Sequence, residues 1–429
     1  MYRRLLILGC KILIKILRAS GRNGSALPGL VIERLNPRFL ELSLNPHQSK
    51  IILVTGTNGK TTTTKMLVTA LRGQGLRVVT NTTGSNMTRG LIAALVEDMT
   101  LTGKIKPTDW FVFEMDEAYA PIFTESLSPK VVLALNVLRD QLDRYGEIDR
   151  TAQLIERAAA KADIYLYNQL DPLLVSAAHR LSKKGTKVYS FGVAKNLSKM
   201  VANEQTLHSK TLNLPKSEPD TIILTIDESE SWQWLTVDCG EQGRNQFSIP
   251  VQGFHNALNA AAVTSVLTQI SKNNLSQALK AISDMPIPFG RGEKLHIRGK
   301  SITVALVKNP SGFTSNLKTF IQQNNYDAVV FIVNDKLADG RDVSWLWDVE
   351  FKPFLSTEIA LFTSGIRAYD MSVRLKQDGF KVETDISVAK IIDMIMKSDF
   401  SNVAIIPTYT ALFEARTALA KYGKVPRIW

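Results

Sequence analysis

The chain has 429 residues, of which 45% are hydrophobic and 21% are charged. This composition excludes a disordered protein and allows two or three domains with full cores. Two cysteines, Cys10 and Cys239, exclude a disulfide framework and a four-thiolate zinc site, and they favour a reducing, cytoplasmic compartment. The net charge of +12 predicts an anionic partner, but no helix-turn-helix spacing or basic–aromatic pattern points to nucleic acid.

The first twenty residues, MYRRLLILGCKILIKILRAS, predict a basic amphipathic helix. Its basic residues that fall near one face are Arg4, Lys11, Lys15 and Arg18. The segment is too short and too charged to span a bilayer. Such a helix can lie on an anionic membrane, here the inner face of the plasma membrane, or it can pack on the protein or a partner. The sequence leaves both alternatives open.

Residues 51–71 predict a strand, a glycine turn and a helix in succession. The turn and the first helical residues match a phosphate-binding loop: Gly56, Thr57, Asn58, Gly59, Lys60, Thr61 and Thr62. Glycines let backbone N–H groups close on phosphate oxygens, and the helix N-terminus adds partial positive charge. We expect Lys60 to reach the terminal phosphates of ATP and the Thr61 hydroxyl to bind Mg²⁺. As a charge contact at a surface cleft, Lys60 is expected to be replaceable by alanine without loss of the fold.

Strands and helices alternate from residue 51 to about residue 195, which predicts a mostly parallel sheet with helices on both faces. The expected strands are 51–54, 77–81, 110–114, 131–136, 164–167 and 187–191. Residues 196–250 begin with a polar, aperiodic segment and continue with two antiparallel strand patterns, and they are interpreted as an insertion.

A second, smaller α/β series follows a helix that begins with GFHNALNAAA. Prolines and glycines in 286–295 predict a linker before it. The expected strands of this series are 302–307, 328–333, 358–362 and 403–406. The predicted organisation is an N-terminal helix and loop (1–44), a central α/β domain (45–295) and a C-terminal α/β domain (296–429).

Polar residues at the ends of two strands are candidates for metal and phosphate chemistry. Glu114 ends the strand 110–114, at the sheet edge where α/β proteins bind ligands, and is a candidate Mg²⁺ ligand. The alternative is a solvated acidic patch that it shares with Asp116 and Glu117. A charge-dense loop follows the next strand, and it either is merely solvated or handles metal and phosphate; its charged residues are Arg139, Asp140, Asp143 and Arg144.

Two asparagines, Asn256 and Asn259, lie near the start of the helix after Gly253. Their side chains can read an adenine edge or can serve as helix caps, and the sequence does not decide between these roles.

Four strings, in this order, resemble the ATP-dependent Mur ligase superfamily: GTNGKTTT, NVLRDQLDRYG, GFHNALNAAA and FGRGE. Five others resemble its MurT branch, the synthetase subunits of lipid II isoglutaminyl synthase: GSALPG, NTTGSNMTRG, LVKNPSGF, NDKLADGRDVSWLWDVEF and TYTAL. The resemblance covers nearly the whole chain. The phosphate loop starts at residue 55, which leaves no room for a separate uridine-diphosphate-binding domain and agrees with a lipid-linked substrate.

The resemblance implies a reaction and a set of roles. ATP phosphorylates the α-carboxylate of D-glutamate in the lipid II stem peptide, and ammonia displaces the phosphate to leave D-isoglutamine. By position in the family's motifs, Lys60 stabilises the transferred phosphoryl group. The remaining roles are Mg²⁺ binding by Thr61 and Glu114, base contact by Asn256 and Asn259, and phosphate contact by Arg291 when the domains close.

The chain departs from the family at two places. Relatives usually carry a four-cysteine zinc ribbon in the inserted region, where only Cys239 remains, so zinc is not expected. Gln141 stands where many Mur ligases place a metal-binding histidine, and the carbamylated lysine of several stem-peptide ligases has no counterpart. These departures leave open whether a second metal ion binds.

Ammonia has to come from elsewhere, because a glutaminase needs an activated nucleophile, commonly cysteine with histidine. Cys10 lies in the N-terminal helix, and no histidine-bearing motif lies beside Cys239. The resemblance implies a separate GatD-type glutamine amidotransferase subunit.

The run DGRDVSWLWD is a candidate contact with that subunit. Trp345 and Trp347 suit an interface, and a carboxylate beside them can orient the histidine of a partner's Cys–His pair. Asp348 is the first candidate for this carboxylate and Asp342 is the second. The alternative for Asp342 is a helix cap.

Two rival classes of function stay open. One is another amide ligase, folylpolyglutamate-synthase-like or adding an amino acid to a stem peptide. The other is a non-catalytic nucleotide-binding subunit, against which the intact Lys60, Thr61 and Glu114 argue.

Overall fold

Two sheet-containing units make up the chain. The computed structural model describes residues 2–19, 26–81, 87–138, 148–197, 217–229, 232–270, 274–285, 290–322 and 325–426. The first unit consists of Met1–Val137, Glu147–Pro250 and Phe254–Met285, and the second of Leu138–Gly146, Val251–Gly253 and Pro286–Trp429. Each unit combines a mostly parallel sheet with helices, so the predicted α/β fold class is confirmed. The domain limits drawn from the sequence stay predictions.

The described part of the first unit contains nine strands. They are β1 (Ile51–Thr55), β2 (Val78–Thr80), β3 (Trp110–Glu114), β4 (Val131–Ala134), β5 (Ile164–Asn168), β6 (Lys187–Val193), β7 (Thr221–Glu228), β8 (Gln233–Asp238) and β9 (Arg244–Ile249). They form one sheet in the order β2-β3-β1-β4-β5-β6-β7-β8-β9. β1 pairs in parallel with β3 and β4, so the carboxyl ends of these three strands meet at one edge. All of β1 is buried, as expected of a strand covered on both faces.

The strands of 196–250 belong to this main sheet and do not stand apart as an insertion. β7 pairs in parallel with β6, and β8 and β9 continue antiparallel from it. β9 escaped the sequence analysis because its first half is polar and largely exposed, which leaves no clear alternation of apolar residues. Residues 198–216 lie outside the described part of the chain.

The helices described in the first unit pack against strands along the whole sheet, from β2 at one edge to β9 at the other. They are α1 (Tyr2–Ala19), α2 (Ala26–Leu35), α3 (Phe39–Leu44), α4 (Lys60–Gly73), α5 (Thr88–Asp98), α6 (Ala120–Thr124), α7 (Ile148–Ala159), α8 (Pro172–Lys183), α9 (Phe254–Ile270) and α10 (Leu275–Ser283). Short 3₁₀ turns span Asn45–Lys50 and Gly240–Gln242. Within the described ranges, no helix is long and apolar enough to cross a bilayer.

One face of α1 packs into the core of the first unit through Ile7, Cys10 and Ile14. The Lys11 ammonium donates hydrogen bonds to the backbone oxygens of Glu97 (3.0 Å) and Met99 (2.6 Å) at the end of α5. Carbonyls in the last turn of a helix lack partners inside it, so a lysine there stabilises the helix end. This face of α1 therefore packs on the protein, which is one of the two alternatives that the sequence left open.

The second unit has a six-stranded sheet among its described residues. Its strands are β10 (Arg291–Ile297), β11 (Lys300–Ala305), β12 (Ala328–Ile332), β13 (Ala360–Ser364), β14 (Val382–Thr384) and β15 (Asn402–Pro407), in the order β10-β11-β15-β12-β13-β14. Only the β10–β11 pair in this sheet is antiparallel. The helices are α11 (Pro310–Asn316), α12 (Ala368–Gln377), α13 (Val388–Lys397) and α14 (Tyr409–Leu419), with a π-turn at Leu317–Ile321 and a 3₁₀ turn at Ser344–Asp348.

The predicted linker 286–295 is wrong in its second half, because β10 begins at Arg291. Gly290 and Gly292, which suggested a flexible segment, have φ of +66° and +79°. The register of β10 against β11 shifts between Arg291 and Glu293. Gly292 therefore lies in a β-bulge at the start of a strand, and Gly290 directly precedes that strand.

Asp171 ties two elements of the first unit together. Its carboxylate accepts hydrogen bonds from the backbone N–H of Leu173 (3.0 Å) and Leu174 (3.3 Å) at the start of α8. It also accepts one from Val137 (2.6 Å), just beyond β4. Burial raises the pKa of Asp171 from 3.8 to about 6 in spite of these three donors. The folded protein therefore holds this proton at a pH where the unfolded chain has released it.

We expect Asp171 to weaken the fold as the pH rises from about 4 to about 7. Its contribution to the free energy of unfolding is present below its unfolded pKa and falls by roughly 2–3 kcal/mol as the pH passes its folded pKa. Denaturant unfolding at several pH values measures this, with Asp171→Asn as the variant and the exposed Asp163→Asn as the control. Only Asp171→Asn should flatten the profile, and parallel profiles for all three proteins would show that Asp171 ionises normally.

Candidate nucleotide-binding site

Two glycines shape the loop that joins β1 to α4. Gly56 has φ of +124° and Gly59 has φ of +87°, a region that glycine adopts without strain. A Cβ on Gly56 would lie 2.9 Å from the backbone oxygen of Asn136, and a Cβ on Gly59 would overlap the side-chain amide of Asn259. Both positions therefore require glycine for space as well as for backbone conformation.

Asn136, which follows β4, fixes the loop from the neighbouring strand. Its backbone oxygen accepts from the N–H of Thr57 (3.0 Å), and its Oδ1 accepts from the N–H of Asn58 (2.8 Å). Its Nδ2 donates back to the Asn58 oxygen (3.1 Å). The sequence analysis did not single out Asn136. Its signal was an asparagine just after a buried strand, at the edge where the loop was expected.

Lys60 is buried, with 7% of its surface exposed, and its ammonium contacts both the loop and a carboxylate. It donates to the backbone oxygens of Gly56 (2.6 Å) and Thr57 (3.3 Å) and forms an ion pair with Glu117 (3.2 Å). Glu117 is itself only 4% exposed. The expectation that Lys60 is a simple charge contact at a surface cleft is therefore wrong.

Glu114 and Thr61 come together at the edge of the sheet. The Thr61 hydroxyl donates to Glu114 Oε1 at 3.0 Å. Asn81 holds the Glu114 backbone on both sides, donating to its oxygen (2.8 Å) and accepting from its N–H (2.9 Å). Glu114, Asp116 and Glu117 are all buried, so the alternative of a solvated acidic patch is wrong. A hydroxyl and a carboxylate oxygen at this separation fit a hard cation such as Mg²⁺.

Asn256 and Asn259 lie in the first turns of α9 and are both buried. Asn259 donates from Nδ2 to Asn256 Oδ1 (3.2 Å), and its amide lies against Gly59. The structure therefore brings Asn259 to the phosphate loop at Gly59. Thr62, in the first turn of α4, is buried. A contact of either asparagine with a base stays a prediction.

The other predicted residues lie outside the described residues or belong to the second unit. Arg139, Asp140, Gln141, Asp143 and Arg144 lie outside the described residues. Arg291 begins β10 in the second unit, and its side chain is not described. Asp342 and Asp348 also belong to the second unit.

Neither cysteine has the character of a nucleophile or a metal ligand. Cys239 is buried, and burial raises the pKa of its thiol to about 11. Burial also raises the pKa of the Cys10 thiol. Both groups are therefore protonated near neutral pH, whereas the thiolate is the reactive and metal-binding form.

Two family models match the chain. The Mur ligase middle domain matches residues 54–267, which includes the phosphate loop, Glu114 and Asn259. The MurT ligase C-terminal domain matches residues 306–412. The chain is 28% identical to the lipid II isoglutaminyl synthase (glutamine-hydrolyzing) subunit MurT of Staphylococcus aureus, over 94% of each chain.

Solved structures agree with the fold. MurF from Acinetobacter baumannii aligns with a TM-score of 0.69 at 17% identity, covering 92% of this chain and 80% of that one. MurF from Thermotoga maritima, solved in complex with ADP, aligns with a TM-score of 0.67 at 15% identity, covering 92% and 84%. The chain is a member of the Mur ligase family. Within it, the matched C-terminal domain and the full-length relative assign the chain to the MurT branch.

We expect Gly59→Ala to abolish ATP binding, because its Cβ collides with Asn259 and displaces the loop. Gly75→Ala is the matched control, since Gly75 lies just past the other end of α4 with φ of +80° and nothing near its Cβ position. In both variants, an alanine at positive φ costs roughly 1–2 kcal/mol of backbone strain. Calorimetry should find normal ATP affinity for Gly75→Ala only. Equal affinities would mean that the loop tolerates the added methyl group.

We expect Lys60→Ala to destabilise the fold by roughly 3 kcal/mol, because it leaves Glu117 buried without its cation. Lys60→Ala with Glu117→Gln should recover most of that stability and still fail to turn over ATP. Denaturant unfolding and an ATPase assay on both proteins measure the two effects separately. If single and double variants unfold alike, the pair does not stabilise the fold.

Proposed function

We propose that this chain is the synthetase subunit of a lipid II isoglutaminyl synthase. It uses ATP to amidate the α-carboxylate of D-glutamate in the lipid II stem peptide, and it takes ammonia from a GatD-type glutamine amidotransferase subunit. One observation carries the proposal. A phosphate loop with Lys60, Thr61 and Glu114 in place occurs in a chain that aligns over 94% of its length with a MurT subunit.

The first step forms an acyl phosphate. A carboxylate oxygen of the substrate attacks the γ-phosphorus of ATP, the bond to the bridging oxygen breaks, and ADP leaves. Lys60 stabilises the charge on the moving phosphoryl group, and phosphate oxygens take the place of the Gly56 and Thr57 carbonyls as its acceptors. Because Asn136 already fixes the loop through the N–H groups of Thr57 and Asn58, the N–H groups that follow them need little rearrangement to receive the phosphates.

Thr61 and Glu114 are the residues that would hold Mg²⁺, since their oxygens lie together at the loop. When bound, Mg²⁺ neutralises phosphate charge in both the ground state and the transition state. Asn81 keeps the Glu114 backbone in place through two hydrogen bonds, and the Thr61 hydroxyl holds the carboxylate. We assign no zinc to the chain.

The second step replaces phosphate with nitrogen. Ammonia attacks the carbonyl carbon, a proton is lost, and phosphate leaves with one of the original carboxylate oxygens. Arg291 is the proposed contact for phosphate in this step, and Asn256 and Asn259 are the proposed contacts for the base. The reaction belongs in the cytoplasm, where ATP is available, with its lipid-linked substrate at the inner face of the membrane.

The proposed contact with the amidotransferase lies around the 3₁₀ turn Ser344–Asp348. Trp345 is buried in the core of the second unit, whereas Trp347 is 48% exposed and lies over the Arg374 guanidinium (6.0 Å to the ring centre). Arg374 is buried and donates to the Val349 oxygen (2.6 Å). The exposed Trp347 ring therefore packs against a side chain that is itself held in place. A rigid, exposed tryptophan is typical of an interface hot spot.

The three aspartates of this segment differ in role. Asp339 is buried and accepts from the N–H of Thr410 (2.7 Å), which is a structural contact. Asp342 accepts from the N–H of Ser344 (2.8 Å), the first residue of the turn, whereas the N-cap position itself is Val343. Asp348 is exposed beside Trp347. Asp348 therefore remains the first candidate for a carboxylate given to the partner's Cys–His pair, and Asp342 the second.

Incubation with lipid II and ATP tests the proposed function. The chain alone, supplied with ammonium, should form the D-isoglutaminyl product and ADP, and with glutamine it should form product only when the amidotransferase is added. Mass spectrometry of the stem peptide distinguishes the outcomes. A product that has gained an amino acid would establish the rival amide ligase, and ATP binding without any product would establish a non-catalytic subunit.

We expect Asp348→Asn to lower glutamine-dependent amidation by at least about 100-fold while ammonium-dependent amidation stays within about twofold of wild type. The reason is that the ATP site is untouched and only the partner's histidine loses its orienting carboxylate. Asp342→Asn tests the second candidate in the same two assays, and co-elution on gel filtration reports assembly of both variants. If ammonium does not rescue Asp348→Asn, the residue belongs to the synthetase chemistry.

A further inference from the structure

The outward face of α1 is apolar. Leu8, Ile12 and Ile16 follow one another at intervals of four residues and are 41%, 50% and 59% exposed. At about 100° per residue, this row lies on the side of the helix opposite to Ile7 and Ile14, which pack into the core. A helix packed on the surface of a protein normally turns charged and polar residues outward. α1 instead has one apolar face for the core and a second that faces solvent.

The charged residues of the N-terminal segment itself have a single sign. Residues 1–32 contain no aspartate or glutamate, and their basic residues are Arg3, Arg4, Lys11, Lys15, Arg18 and Arg22. The Lys11 ammonium is committed to the two carbonyls at the end of α5, whereas Lys15 is exposed and directly precedes Ile16. A surface that is complementary to this face of α1 must therefore be both apolar and negatively charged.

Single exposed apolar side chains are common and need no partner. Leu101 and Ile122 are examples in the same unit, and they are 64% and 52% exposed. The row on α1 differs because three large aliphatic side chains line up along one helix beside an exposed cation. An anionic bilayer offers both complements at once, acyl chains below and negative headgroups above.

We propose that α1 docks this chain on an anionic lipid bilayer. The helix lies along the surface, with Leu8, Ile12 and Ile16 at the level of the acyl chains and Lys15 among the headgroups. The inference follows from the helix and does not depend on the proposed function, since binding can be measured without turnover. If the proposed function also holds, docking brings the ATP site to the surface that carries the acceptor substrate.

Flotation of the purified full-length chain with vesicles tests the proposal. We expect binding to phosphatidylcholine vesicles that contain about 30% phosphatidylglycerol, and at least about tenfold weaker binding to phosphatidylcholine alone. Ile12→Ser with Ile16→Ser should weaken binding to the anionic vesicles by at least about tenfold. Leu101→Ser with Ile122→Ser removes similar side chains at similar exposure elsewhere and should bind as wild type does. Lys15→Glu should weaken binding to the anionic vesicles and leave the neutral ones unaffected.

The ATP affinity and Tm of each variant show whether it is folded, which separates a loss of docking from a loss of structure. Three results would overturn the proposal: a wild-type chain that does not float with anionic vesicles, equal binding to both kinds of vesicle, or unchanged binding of the Ile12→Ser/Ile16→Ser variant. A fourth is loss of the amidotransferase from that variant with vesicle binding intact, which would assign the face to a protein partner.

Discussion

The phosphate loop depends on the close approach of three segments, and the rest of the proposed site depends on the loop. Because Gly56 has no side chain, the backbone of Asn136 can approach it closely, and the amide of Asn259 approaches Gly59 for the same reason. A side chain at either glycine would separate the loop from the strand or the helix that holds it. The loop is therefore shaped before any nucleotide arrives, and its N–H groups need not be ordered at the expense of binding free energy. The parallel order β3-β1-β4 places Glu114 at the same edge.

Much of this site could be predicted from the sequence because its signals are local. A buried strand, glycines at fixed spacing and a helix define the loop, and Glu114 follows from the rule that parallel strands meet at one edge. The Lys60–Glu117 pair and the Asn136 clamp could not be predicted, since they join residues 57 and 78 positions apart. A solvated acidic patch that includes Glu117 was one of the alternatives, and only the fold shows that Glu117 is buried. β9, β10 and β14 were missed for a different reason, because polar residues and glycines mask short strands at the edges of a sheet and at bulges.

The two units divide the proposed work. The first unit contains the phosphate loop proposed to activate a carboxylate, and the second contains Trp347 and Asp348, the proposed contact with a partner, both exposed. Neither cysteine is poised as a thiolate, which supports the view that glutamine is hydrolysed by another chain. Dividing the reaction in this way lets ammonia supply be regulated or lost without affecting ATP chemistry. That separation is why exogenous ammonium is informative for every variant outside the phosphate loop.

Oxygen transfer from the carboxylate to phosphate is the step that distinguishes an acyl-phosphate ligase from any other use of the loop. It can be followed with lipid II that carries ¹⁸O in both oxygens of the D-glutamate α-carboxylate, incubated with this chain, ATP and ammonium. Each turnover should release phosphate with one ¹⁸O atom and leave the other in the new amide. Amide formation with unlabelled phosphate would contradict activation of that carboxylate by ATP at this site.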